Sequence, residues 1–268
     1  MKQEFKKLLN VITYVKSGGS AAILWTKFRL RVKELGKNEA REAKEWATSK
    51  SEDTSSFMTN LERHLQVEAE IFFEKIVSES IPTVQQLAQK GIDLGGGGSV
   101  GLIYFLCRLL KPNYVLETGV AAGWSSYAIL EALSENEKGS LDSSDLPYFR
   151  IENPEQYIGI LVPDRLRNLK IWDLQTKGDS ENLRMFLSGN KKYAMVHYDS
   201  DKRKVSRLEF LRRIEPWLSN DAVVIMDDIQ DNLAFKEYVL TKNLSYRVFE
   251  YEGKFIGIIF LDGSLFRE

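Results

Sequence analysis

Cysteine is almost absent. Cys107 is the single one in 268 residues, so no internal disulfide and no cysteine-rich zinc site can form. Histidine is nearly as scarce. The two present, His64 and His197, are placed where no Ser-His-Asp or Cys-His arrangement can be assembled. Long apolar runs are missing too. The longest, from Val100 to Cys107, stops at Arg108, far short of a bilayer span. An excess of either charge is lacking: 37 Lys plus Arg face 38 Asp plus Glu, a net charge of -1. That balance removes the electrostatic case for a nucleic-acid or anionic-membrane partner. The first residues, MKQEFKKLLNVITYVKSGG, have a short apolar part carrying Asn10 and closed by Lys16. They do not make a convincing signal peptide, and a cytoplasmic protein is expected.

What is present is ordinary for a globular chain: 43% hydrophobic and 28% charged residues. The length suggests one or two domains and allows a full core without staples. Two grammars divide it. Residues 27–46 are rich in Arg, Lys, Glu and Ala, and in 57–77 the apolar positions Leu61, Leu65, Ile71, Phe72, Phe73 and Ile76 mark another amphipathic helix. The Ser, Thr, Asp and Glu of 49–56 read as a loop, and no strand pattern appears before residue 113. Gly95 to Gly98 serve either as a hinge or as a loop where backbone approaches a ligand; Ser99 would cap a helix over 100–110, ended by Pro112.

Beyond Pro112, strands alternate with helices. Strands are expected at 114–117, 140–145, 169–174, 193–198 and 222–226, and helices at 124–133, 180–187, 202–217 and 232–240. This pattern predicts a parallel sheet covered on both faces. Residues 246–251, Glu252-Gly253 and 254–261 form a hairpin signature, so the sheet should end antiparallel. No internal repeat is found.

The first strand runs into Glu117-Thr118-Gly119-Val120-Ala121-Ala122-Gly123-Trp124-Ser125. A strand, a glycine turn and a helix N-terminus form the nucleotide-site arrangement of open α/β sheets. The glycine spacing fits neither GxGxxG nor a P-loop. An acidic residue followed by x-Gly-x-x-x-Gly resembles motif I of the class I S-adenosylmethionine-dependent methyltransferases. The resemblance implies a Rossmann-like, seven-stranded, mostly parallel sheet with an antiparallel C-terminal hairpin. To this a helical N-terminal extension or lid (1–98) is added, leaving 99–268 as the methyltransferase domain. It also implies S-adenosyl-L-methionine held by Glu117, Gly119, Gly123, Trp124 and Ser125. An acidic residue ending the second strand would bind the ribose hydroxyls; Asp145 lies nearer that end than Asp142. Asp179, after Gly178, corresponds to the residue near the adenine, although Asp179 or Ser180 could equally cap a helix.

Two further strand ends carry carboxylates: His197-Tyr198-Asp199-Ser200-Asp201-Lys202 and Ile225-Met226-Asp227-Asp228. Gathered at one sheet edge they would repel one another, and a hard divalent ion would relieve the repulsion. Asp-Ser-Asp-Lys is similar to the Asp-Ala-Asp-Lys of the caffeoyl-CoA and catechol O-methyltransferase branch. That resemblance implies Asp199, Asp227 and Asp228 as ligands of Mg²⁺, Ca²⁺ or Mn²⁺, and Lys202 as general base. A helix N-terminus would lower the Lys202 pKa toward that role. Asp228 stands where that branch has Asn. The carboxylates could instead cap the helices that follow, and His197 reads as a buried, hydrogen-bonded histidine. The implied partner is a small-molecule hydroxyl, phenolic or a sugar diol, with the N-terminal helices available for self-association. A metal-independent methyltransferase, or a non-enzymatic cofactor-binding module, is the alternative.

Overall fold

The computed structural model describes residues 39–97, 99–148 and 151–262. The N-terminal leader and most of the 27–46 helix expectation lie outside them. Apolar strands of 114–118, 193–198 and 218–226 pack side by side because successive side chains point to opposite faces, and both faces are buried. Val115, Met195, Val223 and Ile258 face one core; Leu116, Val196, Val224 and Ile259 face the other.

In chain order the elements are α1 (Ala40–Lys50), β1 (Ser51–Glu52), α2 (Thr54–Gln89), α3 (Val100–Leu110), β2 (Tyr114–Thr118), α4 (Trp124–Glu135) and β3 (Ser140–Ser144). There follow α5 (Asp164–Arg167), β4 (Trp172–Gln175), α6 (Asp179–Phe186), β5 (Tyr193–Tyr198), α7 (Lys204–Ile214), β6 (Leu218–Met226), α8 (Ala234–Thr241), β7 (Ser245–Tyr251) and β8 (Lys254–Phe260). The sheet order is β1-β7-β8-β6-β5-β2-β3-β4. Among the described strands, only β8 runs antiparallel, to both β6 and β7. The fold class read from the sequence is therefore the observed one, with an eighth strand added.

That strand, β1, pairs parallel with β7 at the sheet edge, inside the stretch expected to be a loop. Two polar residues carry no periodicity; the open edge of β7 supplies the partner. The second N-terminal helix is longer than expected. It spans 36 residues, is broken at Glu62 by non-helical backbone, and contains Pro82. Phe57, Phe72 and Ile76 of α2 enter the same core as Leu102, Phe105, Tyr127 and Ile129 of α3 and α4. Arg108 holds Glu68 of α2 at 2.6 Å, and Arg165 and Lys75 both pair with Glu131, at 2.6 and 2.7 Å. Among the described residues, no helix is long and apolar enough to cross a membrane.

Thr118, Tyr198 and Met226 end their strands in register. Asp199 N donates to Thr118 O at 2.8 Å and Asp227 N to Tyr198 O at 3.0 Å, which locks the three ends at one level. Residues 119, 199 and 227 therefore open on one edge of the sheet.

Candidate active site

The turn after β2 depends on glycine. Gly119 has φ +88, and a Cβ there would lie 2.3 Å from the Asp199 carbonyl oxygen. Gly123 has φ +96, and its Cβ would lie 2.7 Å from Gly159 Cα. Between them Ala121 also sits in the left-handed region, at φ 46. The turn is thus in backbone contact with two neighbours, and side chains would separate them.

Glu117 is fully buried. It accepts hydrogen bonds from Ser125 and Ser126 at 2.6 Å and from Ser143 at 2.7 Å. Its carboxylate fastens the start of α4 to the sheet and presents no oxygen to solvent. Ser125 lines the crevice while its hydroxyl is given to Glu117. Trp124 stands at the mouth, packed so closely on the glycine run that a Cβ on Gly97 would lie 2.6 Å from its ring. The buried Trp124 indole N–H has no hydrogen-bond partner. The glycine run 95–97 is accordingly a wall of the crevice.

Asp145 follows β3. Its Oδ2 accepts from Ala121 N at 2.8 Å and its Oδ1 from Leu146 N at 2.7 Å. Burial raises its pKa to about 6, against the opposing pull of those two amides. It lines a groove with Leu94, Leu146, Tyr157 and Ile158. Ala121 and Leu94 line this groove and the main crevice alike, so the two adjoin at the glycine turn. Asp142 is elsewhere: buried, it binds Lys191 at 2.6 Å and the Tyr193 hydroxyl at 2.7 Å. Asp179, the first residue of α6, bridges the ends of β3 and β5 by accepting from Ser144 at 2.7 Å and Ser200 at 2.6 Å.

Asp199, Asp227 and Asp228 all line the crevice. They are not gathered round one point. Lys202 lies between two of them, in contact with Asp199 and 2.8 Å from Asp228. Among the described residues, no three His, Cys, Asp or Glu side chains are arranged to hold a metal ion. As arranged, the set does not fit a divalent cation, because an ammonium already stands between two of its carboxylates. The third, Asp227, turns its Oδ1 to His197 Nε2 at 3.6 Å.

The electrostatics depart from the sequence expectation for Lys202. Burial opposes its charge, but Asp199 and Asp228 outweigh burial and raise its pKa. It therefore holds its proton, the reverse of what a general base requires. Moreover, α7 starts two residues later, and the facing carboxylates overrule its macrodipole. Asp199 is pushed up to about 6 by burial and by Asp227.

His197 is 1% exposed, with Nδ1 3.8 Å from Glu117 and Nε2 3.6 Å from Asp227. Neither nitrogen has a partner at hydrogen-bonding distance, unlike the hydrogen-bonded histidine expected. Burial disfavours its charge, yet the two carboxylates prevail and raise it to about 10. Sequence reasoning missed Tyr251 and Lys254, which bring the β7–β8 turn to the crevice rim. Only the hairpin signature pointed there, and it gave no side-chain direction.

Residues 116–229 match the family model described as a methyltransferase domain. No curated protein matches the sequence. Solved structures of similar fold include an O-methyltransferase from Bacillus cereus in complex with SAH. It is 14% identical, has a TM-score of 0.54, and the match covers 68% of this chain and 90% of that one. The O-methyltransferase TomG from Streptomyces achromogenes, in complex with SAM, is 16% identical with a TM-score of 0.54, over 70% of this chain and 89% of its own. A candidate caffeoyl-CoA O-methyltransferase from Staphylococcus aureus is 16% identical with a TM-score of 0.51, over 72% and 99%. At such identities the likeness is one of fold.

Proposed function

We propose that this chain, an S-adenosylmethionine-dependent methyltransferase of the class I fold, methylates a hydroxyl of a small molecule in the crevice above Gly119. One observation carries the reading. The glycine turn lies between a groove holding Asp145 and a crevice lined by Asp199 and Asp228, which Lys202 bridges, so a bound cofactor can reach from one to the other. In this reading Asp145 accepts from the ribose hydroxyls, for which a carboxylate has two oxygens. The turn backbone takes the methionine part, Trp124 packs beside it, and Asp179 fixes the strand ends. The cofactor supplies an electrophilic methyl group. The chain positions the acceptor oxygen in line with it and excludes water. As the new carbon–oxygen bond forms and the carbon–sulfur bond breaks, the hydroxyl proton passes to Asp199. A carboxylate near pKa 6 suits that transfer, and the Lys202 ammonium holds it in place.

A second reading keeps the divalent cation, with Asp199, Asp227 and Asp228 as its holders once Lys202 swings aside. It is favoured by the buried Asp227 Oδ1, which has no hydrogen-bond partner. The test is label transfer from methyl-labelled cofactor to phenolic and sugar-diol acceptors, with and without EDTA. The first reading predicts transfer indifferent to EDTA and lost in Asp199→Asn. Transfer abolished by EDTA and restored by Mg²⁺ would favour the second. Cofactor binding without transfer to any acceptor would leave a binding module.

A further inference from the structure

The glycine turn is braced from behind by a segment with no place in the chemistry so far. Gly159 N donates to Ala121 O at 2.8 Å, and Leu161 N donates to Ala122 O at 2.9 Å. Both carbonyls belong to the turn. The contact is backbone against backbone: Gly159 has φ +66, and a Cβ there would lie 2.6 Å from the Trp172 ring. Upstream, Pro154, Tyr157 and Ile158 wall the groove opposite Asp145. One irregular segment, 151–162, therefore sets both the back of the turn and the side of the groove.

Arg167 holds that segment. Its Nε donates to Val162 O at 2.9 Å, and its Nη2 donates to Gly159 O. The guanidinium lies over the Trp172 ring, 5.2 Å from the centroid. Trp172 in turn donates to Ser143 Oγ at 2.8 Å, and Ser143 to Glu117, which fastens Ser125 and Ser126. The chain of contacts thus runs round the turn and closes on its far side. Arg167 itself lines neither cavity. A planar fork can serve two carbonyls while stacking on a ring; a lysine cannot do both.

We infer that Arg167 is a positioning residue for the cofactor, acting through the carbonyls of Gly159 and Val162 on the glycine turn and on the groove beside Asp145. The inference rests on the cofactor reading above. Its test is calorimetric titration of wild type, Arg167→Lys, Asp145→Ala and Val239→Ala with S-adenosylhomocysteine, with melting temperatures and steady-state kinetics on each. Val239 is fully buried in α8, across the sheet, and reports a stability loss alone. Arg167→Lys should bind about tenfold more weakly, the worth of one hydrogen bond to a charged group. Its KM for the cofactor should rise by the same factor, with kcat at saturation and the acceptor KM unchanged. Val239→Ala should melt earlier and bind as wild type does. If Arg167→Lys does not fold, Trp172→Phe keeps a ring under Arg167, breaks the bond to Ser143, and should show the same split. Unchanged affinity in the Arg167 variant, with Asp145→Ala weakened, overturns this inference and leaves the cofactor reading standing. Affinity falling in step with melting temperature in Val239→Ala as well also overturns it. A wild-type protein that binds no S-adenosylhomocysteine overturns the cofactor reading first.

Discussion

Gly119→Ala should damage the fold as well as the site, and the structure sets the size of the effect. The new Cβ would stand at φ +88, where an L-residue pays about 1–2 kcal/mol. It would also lie 2.3 Å from Asp199 O and 2.5 Å from Asp199 C, which are backbone atoms pinned by the β2–β5 register. Relieving that overlap requires the strand ends to part, a form of overpacking that costs about 1–3 kcal/mol. The two together give about 2–5 kcal/mol, or roughly 4–9 °C in melting temperature for a chain of this size. Gly253→Ala is the internal control. It has φ +78 but nothing within 4 Å of its Cβ, so only the backbone cost should appear. Thermal denaturation of both variants, followed by S-adenosylhomocysteine titration, reads the difference. The overlap argument fails if Gly119→Ala melts no earlier than Gly253→Ala.

Two other outcomes follow from the charges. Ribose binding needs ionised Asp145, whose pKa is about 6, so cofactor affinity should be full at pH 8 and about tenfold lower at pH 5. Asp145→Asn should bind weakly and without this pH dependence, as calorimetry at the two pH values will show. The folded pKa of His197, about 10, lies above its ordinary 6.5. Its contribution to stability is therefore complete below pH 6.5 and is lost as pH rises through 10. Urea unfolding should show wild type losing a few kcal/mol more than His197→Gln between pH 6.5 and 10. Parallel curves would mean the imidazole is neutral in the fold.

Elements with their own signal were legible in the sequence. The 100–110 helix has a continuous apolar run and Pro112 behind it, and its bounds fall where expected, although the Ser99 side chain makes no capping hydrogen bond. The preference for Asp145 over Asp142 came from position alone, and the structure puts Asp142 in a buried pair with Lys191 and Tyr193. What was not legible depends on direction in space. The chain gives no hint that Lys202 turns back between Asp199 and Asp228, so the sign of its pKa shift came out reversed. His197 meets Glu117 and Asp227 across three strands. The 151–162 segment has no periodicity, and its order comes from Arg167 and the turn it braces.

The central claim is that one cofactor lies across the glycine turn, with its ribose on Asp145. Calorimetric titration of the wild-type protein and Asp145→Ala with S-adenosylhomocysteine at pH 8 tests it most directly. The account predicts saturable one-to-one binding by wild type and a loss of about 1–3 kcal/mol in the variant, the worth of hydrogen bonds to a charged group. No binding by wild type, or equal affinity in the two proteins, would contradict it.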